Sequence, residues 1–173
     1  MSSTNLSVLV GKNFACIKIA GRANFASSPN FKTLLSELAQ KGFGHFIIDL
    51  SECVLMDSTF LGVLAGFGIK LNPKGAPTER GIELHNATTR VSELLENLGA
   101  VHLFKLTTGS MHLPADVTPC TPESINPSHE QIARTSLEAH QTLMSMNLEN
   151  VARFKDVAQF LAEDLKSIEK SSE

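Results

Sequence analysis

The chain has 173 residues, of which 42% are hydrophobic and 19% are charged, and its 15 basic and 18 acidic side chains give a net charge of −3. This composition is typical of a globular protein with one larger domain, or one ordinary domain and an appendage. Its basic residues do not cluster with aromatic residues, so direct nucleic-acid binding is not expected. The longest apolar stretch, around residues 60–71, is too short for membrane insertion.

The cysteines and histidines argue against a metal or redox site. Cys16, Cys53 and Cys120 are scattered without C-x-x-C spacing, and the first residues lack the pattern of a secretion signal, which together predict free thiols in the cytoplasm. The six histidines show no metal-ligand spacing, and the strained G-x-S-x-G nucleophile turn is absent. We therefore expect no metal, no cofactor and no enzymatic activity.

Hydrophobic periodicity predicts eight elements in the first 107 residues. Residues 14–20 alternate with the two-residue period of a strand, whereas residues 30–41 place apolar side chains at helical spacing. In chain order the predicted elements are strands at 6–10 and 14–20, a helix at 30–41, a strand at 45–50, a helix at 58–71, a strand at 82–85, a helix at 88–98 and a strand at 103–107. This order predicts an α/β fold in which helices cover a mixed β-sheet.

The helix predicted at residues 58–71 contains three glycines, Gly62, Gly66 and Gly68. No Gly-Lys-Ser/Thr sequence follows them, so they do not form a phosphate-binding loop. Small residues let one backbone approach another, and these glycines predict close packing of the helix on the sheet.

Composition changes after Thr108. Residues 1–109 are predicted to form the α/β domain, residues 110–127 a proline-rich linker, and residues 128–173 a helical segment. Ser128 and Gln131 have the spacing of a capping box at the start of that segment. The segment contains no Gly or Pro and carries five basic and eight acidic residues.

The helical segment has one apolar seam with a possible break near Asn147. Its members, with His140 in the gap between the first two, are Leu137, Met144, Leu148, Val151, Phe154, Ala158, Leu161, Leu165 and Ile168. Spacings of three and four are typical of a coiled coil or a long amphipathic helix. The seam has three possible burial sites: the first domain, a second copy of the chain as a homodimer, or the segment itself folded as a hairpin.

The most informative motif is the step Asp57-Ser58-Thr59 at the start of the predicted helix 58–71. Asp57 or Ser58 can cap the helix by accepting a hydrogen bond from a free backbone N–H. The free N–H groups and the positive end of the helix dipole also favour an added negative charge. A structural cap and a regulatory phosphorylation site both fit this local chemistry.

The order of elements, together with the sequence IIDLSECVLMDSTFLGVL, resembles the STAS domain family, which includes bacterial anti-sigma-factor antagonists. The resemblance covers about residues 6–107. It implies phosphorylation at Ser58, with Thr59 as a secondary candidate, by a partner that is both anti-sigma factor and serine kinase. The residues implied in binding that partner are Asn24, Asp57, Ser58, Thr59, Phe60 and Leu61.

The resemblance also implies functions without phosphorylation. Some members of the broader family are cytosolic subunits of lipid- or anion-transport complexes, in which the same helix docks on a partner. A third possibility is a structural scaffold that is dimerised by its C-terminal helix. In the leading interpretation, the unmodified protein binds a kinase-type partner, and a phosphate carrying roughly −1.5 to −2 charges at Ser58 releases it.

Overall fold

The computed structural model describes residues 4–74 and 80–171. Within these ranges the strands are β1 (Asn5–Val10), β2 (Phe14–Ala23), β3 (His45–Asp49), β4 (Cys53–Met56), β5 (Gly81–His85), β6 (Phe104–Thr107) and β7 (Thr118–Cys120). The helices are α1 (Ser28–Gln40), α2 (Ser58–Leu71), α3 (Thr89–Asn97), α4 (His129–Met146) and α5 (Leu148–Ser171), and a 3₁₀ turn covers Val101–Leu103. The predicted α/β fold with helices on a mixed sheet is confirmed.

The sheet has the strand order β6-β5-β3-β2-β1-β7, and β4 pairs separately with the end of β2. Strands β2, β3, β5 and β6 run parallel, whereas β1 is antiparallel to both β2 and β7. In the parallel register Ile17 lies opposite Ile48, which lies opposite Leu84. These three side chains are fully buried, so the two-residue period sets one face of the sheet against the core.

Large side chains from the sheet and from helices α1 and α2 form that core. The largest fully buried residues are Phe31, Phe46, Phe60, Ile17, Ile19, Leu35, Leu38, Ile48, Leu50, Leu61, Leu64 and Ile82. Phe31 of α1 stacks on Phe60 of α2 with ring centroids 4.3 Å apart, and Phe46 of β3 meets Phe67 of α2 edge to face at 4.9 Å. Helix α2 is therefore anchored to both α1 and the sheet.

Two short strands were not predicted. Strand β2 continues beyond Gly21, where φ is 86° and the register shifts, and the extension pairs with β4 in the segment predicted as a loop. Strand β7 lies inside the segment predicted as a linker and pairs with β1 at the edge of the sheet. An edge strand tolerates Pro119 because it has one side without a ladder partner. The boundaries of the predicted domains and linker remain a prediction.

The C-terminal segment forms a helical hairpin, one of the three predicted arrangements. The predicted capping box is present, since the Ser128 side chain accepts from the Gln131 N–H and the Gln131 side chain accepts from the Ser128 N–H. The chain turns at Asn147, between α4 and α5, where the break in the seam was expected.

Helix α4 also packs on α2 and α1, and His140 in the gap of the seam is buried there. The predicted seam was wrong at Leu148 and Val151, which are 88% and 39% exposed just after the turn. Homodimerisation through this segment stays a prediction.

Candidate functional site

Asp57 caps helix α2 and connects it to the loop after β2. Its Oδ1 accepts a hydrogen bond from the Phe60 N–H at 2.9 Å, and its Oδ2 accepts one from the Phe25 N–H at 2.7 Å. Burial raises the pKa of the Asp57 carboxyl, and the two backbone donors act in the opposite direction. The carboxylate therefore satisfies one free N–H of α2 and holds the neighbouring loop against the helix start.

Ser58 is the first residue of α2, is half-buried, and forms a hydrogen bond with helix α4. Its Oγ lies 3.0 Å from Nε2 of His140, and Nδ1 of His140 lies 2.7 Å from the carbonyl oxygen of Ser136. The carbonyl oxygen of Ser136 can only accept a hydrogen bond. Nδ1 of His140 therefore carries a proton and donates the hydrogen bond to that oxygen. In the neutral imidazole Nε2 is then the acceptor, and the Ser58 hydroxyl donates to it.

His140 lies between the two helices of the hairpin and α2. It is only 5% exposed, and its ring centroid is 4.9 Å from that of Phe154 on α5. From the sequence, His140 was predicted only to lie in the apolar seam, and no function was predicted for it. The contact with Ser58 joins residues 82 positions apart, and the only signal for it was a histidine in a gap between apolar residues.

The three residues after Ser58 point into the protein. Thr59 is 5% exposed, and Phe60 and Leu61 are fully buried. Residues one and two places after Ser58 turn away from its side of the helix, whereas Leu61, three places after it, lies near that side and is buried there as well. In this conformation the three side chains belong to the buried side of the helix start. Their predicted part in partner binding stays a prediction.

Asn24 lies in the loop that Asp57 holds, at the same end of α2 as Ser58. Its Oδ1 accepts a hydrogen bond from the Ala26 N–H at 3.2 Å, and it is half-buried. Beside it Phe25 is 53% exposed. Val54 and Leu55 of β4, on the segment that leads into Asp57, are also exposed.

We call Phe25, Val54 and Leu55 the apolar rim. These residues were not predicted from the sequence, because β4 was predicted to be a loop and Phe25 lies outside any predicted element. Exposed large apolar side chains on the two segments beside Asp57 are suited to contact with another protein.

Helix α4 covers the side of α2 on which Ser58 lies. A Cβ atom added at Gly62 would lie 2.6 Å from both the Cβ and the carbonyl oxygen of Ala139, whereas one added at Gly66 would lie 3.6 Å from Thr142 Oγ1. The prediction that all three glycines pack on the sheet was therefore wrong for these two, because they face α4. Only Gly68 lies near the sheet, with Ile82 and Phe104 at ordinary contact distance.

A crevice of about 210 Å³ runs between α1, α2 and α4. Its lining includes Lys32, Gly66, Lys70 and Thr142, but neither Ser58 nor His140. A hydroxyl that donates to an imidazole is the arrangement of a nucleophile and its base. Here the pair does not open into the crevice, so in this conformation its hydrogen bond links α2 to α4.

Comparisons with known proteins agree on the first part of the chain. A family model described as "Mlab, STAS domain" matches residues 9–107. An anti-sigma factor antagonist from Mycobacterium paratuberculosis is similar in structure, with 18% identity and a TM-score of 0.53 over 61% of this chain and 86% of that one. The anti-sigma factor antagonist SpoIIAA in its unphosphorylated form is 15% identical, with a TM-score of 0.50 over 60% of this chain and 87% of that one.

No match was found among curated protein sequences. The family match ends at residue 107, so the hairpin lies beyond it. Among the residues that the structure describes, no helix is both long and apolar enough to cross a membrane. The family match spans more than half of the 173 residues, and the chain therefore belongs to the STAS domain family.

Proposed function

We propose that this protein is a non-catalytic signalling module of the anti-sigma-factor-antagonist type. It binds an anti-sigma factor that is also a serine kinase, acts in the cytoplasm, and is switched by phosphorylation at Ser58. The observation that carries this proposal is the position of Ser58, which opens helix α2 directly after the capping residue Asp57. That is the position to which the STAS resemblance assigns the phosphorylated serine.

The geometry favours Ser58 over Thr59 as the phosphate acceptor. Ser58 is half-buried with its hydroxyl directed to His140 of α4, whereas Thr59 is only 5% exposed. Transfer of the γ-phosphoryl group of ATP to Ser58 Oγ releases ADP and the hydroxyl proton. The added charge then lies at the helix N-terminus, where the dipole and free N–H groups stabilise an anion.

The apolar rim supports a role in protein binding. Phe25, Val54 and Leu55 lie on the two segments beside Asp57 and remain exposed, so a partner that contacts them lies next to the start of α2. A charged phosphate at the edge of an apolar contact costs desolvation free energy, which weakens the complex. Binding and release then need no change in the fold of the sheet.

Intact-mass measurement tests the proposal directly. Incubation with a kinase-type anti-sigma factor and ATP should add one phosphate to the wild-type protein and none to Ser58→Ala. Ser51→Ala is the matched control, because Ser51 is an exposed serine in the turn before β4 and its loss should leave phosphorylation unchanged. In a pull-down, Ser58→Asp should bind at least about tenfold more weakly. Equal binding of Ser58→Asp and wild type to every such partner would refute the switch.

A second candidate function is that of a STAS-like subunit of a lipid- or anion-transport complex. The observation that favours it is the bond from Ser58 to His140, because a hydroxyl engaged within the chain is suited to docking without phosphorylation. Co-purification with a membrane ATPase or channel, without any mass shift, would support this function. A phosphate on Ser58 would instead support the antagonist.

Self-association through the C-terminal segment is a further part of the proposal. The hairpin buries Ala158 and Leu165 but leaves Val157 43% and Phe160 66% exposed on α5. These two side chains offer an apolar contact for a second copy of the chain. Sedimentation of the full chain should show a dimer that Phe160→Glu dissociates. A full-length chain that sediments as a monomer at all concentrations would refute the proposed homodimer.

A further inference from the structure

The C-terminal hairpin covers the side of α2 on which the proposed phosphorylation site lies. Helix α4 packs along α2, and its His140 accepts the hydroxyl hydrogen of Ser58. A protein kinase needs the Ser58 hydroxyl free, and a partner that contacts Ser58 needs the side of α2 beside it. Ser58 is only half-buried, but while α4 is in place its hydroxyl is engaged by His140 and α4 covers that side of α2.

We infer that the hairpin is an intramolecular competitor that covers Ser58, so that partner binding and phosphorylation both require α4 to move away. This inference rests on the proposed function, because it concerns the regulation of the same site. The closed state is the one that the structure shows. The open state exposes Ser58, and the apolar rim is available in both.

A phosphate on Ser58 does not fit the closed state. The 3.0 Å between Oγ and His140 Nε2 leaves no room for another atom, and phosphorylation also removes the hydrogen that Ser58 donates. The hairpin segment has five basic and eight acidic residues, a net charge of −3, and repels the added phosphate. Crowding, the lost hydrogen bond and the repulsion all favour the open state.

The contact between α4 and α2 has the chemistry of a reversible interface. The buried residues of α4 are small or polar apart from one leucine, and they are Ala133, Thr135, Ser136, Ala139, His140 and Leu143. The crevice of about 210 Å³ lies along the same contact. Such an interface buries little apolar surface per residue, so its opening costs less than unfolding of the core.

The connection between the domain and the hairpin permits this movement. Strand β7 ends at Cys120, and the capping residue of α4 is Ser128. The segment between them spans roughly 26–29 Å when fully extended. The hairpin therefore remains attached when it leaves α2, and it competes with a partner at an effective concentration on the order of millimolar.

Thiol labelling of full-length Ser58→Cys measures the covering of residue 58 without any partner. Iodoacetamide labelling is quantified by peptide sequencing in the mass spectrometer, which separates residue 58 from Cys53 in the same peptide. Cys53 is fully buried and reports opening of the core. Cys16 is a second reference, because burial, with Asp49 and Glu83 nearby, raises the pKa of its thiol to about 11.

Ala139→Leu is the opening variant, since Ala139 lies against Gly62 with no space for a larger side chain. It should raise labelling at residue 58 at least about tenfold and leave Cys53 unchanged. Ala152→Leu is the matched control, because it makes the same change at an exposed position of α5 and should change neither rate by more than about twofold. Residue 58 that labels as fast in the parent as in Ala139→Leu would overturn the inference.

Hydrogen exchange of the wild-type chain provides a test that requires no variant. Amides of α4 should exchange through a partial opening, with a rate at least about tenfold above that of β3 amides. Equal opening free energies for α4 and β3 would overturn the inference, because the hairpin would then open only when the whole protein unfolds. This measurement holds even if Ala139→Leu fails to fold.

The two proposals fail separately. If labelling depends on Ala139 but no kinase-type partner phosphorylates Ser58 in wild type or in Ala139→Leu, the antagonist function is wrong and the covering hairpin stands. If Ser58 is phosphorylated equally fast in both proteins, and residue 58 is labelled equally fast with and without the Ala139→Leu substitution, the hairpin inference alone is overturned. Faster phosphorylation of Ala139→Leu than of wild type, together with faster labelling of residue 58 in the presence of Ala139→Leu, supports both proposals.

Discussion

Helix α2 contacts the core on one side and the hairpin on the other, and the two contacts differ in chemistry. On the core side Phe60 stacks on Phe31, and Phe67 meets Phe46. On the hairpin side Gly62 meets Ala139, and Ser58 donates to His140. Large apolar side chains stabilise the first contact through buried area, whereas small residues and hydrogen bonds define the second.

This difference teaches how one helix can be both rigid and regulated. Stabilisation by buried apolar surface is not directional and is lost only when the core opens. Helix α2 therefore stays in place when the hairpin on its other side leaves. A contact of small residues needs a close fit, and a single added atom is enough to weaken it. We expect substitutions on the two sides to separate global stability from hairpin docking.

The largest effect is expected for Phe60→Ala in the core. Phe60 is fully buried and stacked on Phe31, so its truncation leaves a cavity and should lower the free energy of unfolding by about 3–5 kcal/mol. Denaturant unfolding measures this. Phe25→Ala is the control at a 53% exposed position, with an expected change within about 0.5 kcal/mol. Comparable losses from the two substitutions would contradict the assigned core.

Asn150→Ala should act on the hairpin rather than the core. Asn150 is fully buried, and its Nδ2 donates to the carbonyl oxygens of Leu143 at 2.8 Å and Leu98 at 3.0 Å. Its removal should cost about 1–3 kcal/mol in the opening of α4 and α5, measured by hydrogen exchange. The control is Asn126→Ala at an exposed position. Equal losses of protection in α4 and β3 would show that hairpin and core unfold together.

Two glycines of α2 should respond to the same substitution with opposite signs. Gly66→Ala places its Cβ 3.6 Å from Thr142, an ordinary contact, and should stabilise the helix by up to about 1 kcal/mol. Gly62→Ala places its Cβ 2.6 Å from Ala139 and should weaken hairpin docking by about 1–3 kcal/mol. Denaturant unfolding measures the first effect, and hydrogen exchange of α4 amides measures the second. A stabilising Gly62→Ala would mean that α4 does not lie where the structure places it.

The core side of this comparison was largely predictable from the sequence. The alternation in residues 14–20 and the apolar periodicity of 30–41 depend on nearest neighbours along the chain, and they placed β2 and α1 correctly to within a few residues. The turn at Asn147 was also foreseen, because a change in the spacing of the seam is a local signal. The capped start of α2 at Asp57 followed from residue types alone.

The hairpin side was not predictable, since it depends on contacts between distant residues. His140 has no local feature that indicates Ser58 as its partner. A glycine such as Gly62 does not by itself show which element will pack against it. Strands β4 and β7 were missed because they contain four and three residues, too few to show a period, and form by pairing with β2 and β1. Tertiary contact, rather than local preference, decides all four features.

The smallest effect is expected for Lys32→Met, which removes an ion pair between α1 and α4. Lys32 Nζ binds the Glu138 carboxylate, and the two side chains are 43% and 49% exposed. Exposed pairs contribute less than about 1 kcal/mol, so α4 opening should change by no more than that. The change should vanish at roughly 1 M salt, where the screening length is about 3 Å.

Lys18→Met provides the matched control for that small effect. Lys18 pairs with Glu52 at comparable exposure, but both residues belong to the sheet side of the molecule and neither lies in the hairpin. Its loss should leave the exchange of α4 amides unchanged at any salt concentration. A salt-independent loss of α4 protection in Lys32→Ala, but not in Lys32→Met, would show that the aliphatic part of Lys32, which also lines the crevice, packs against α4. The hairpin contact would then depend on apolar packing more than its small buried side chains indicate.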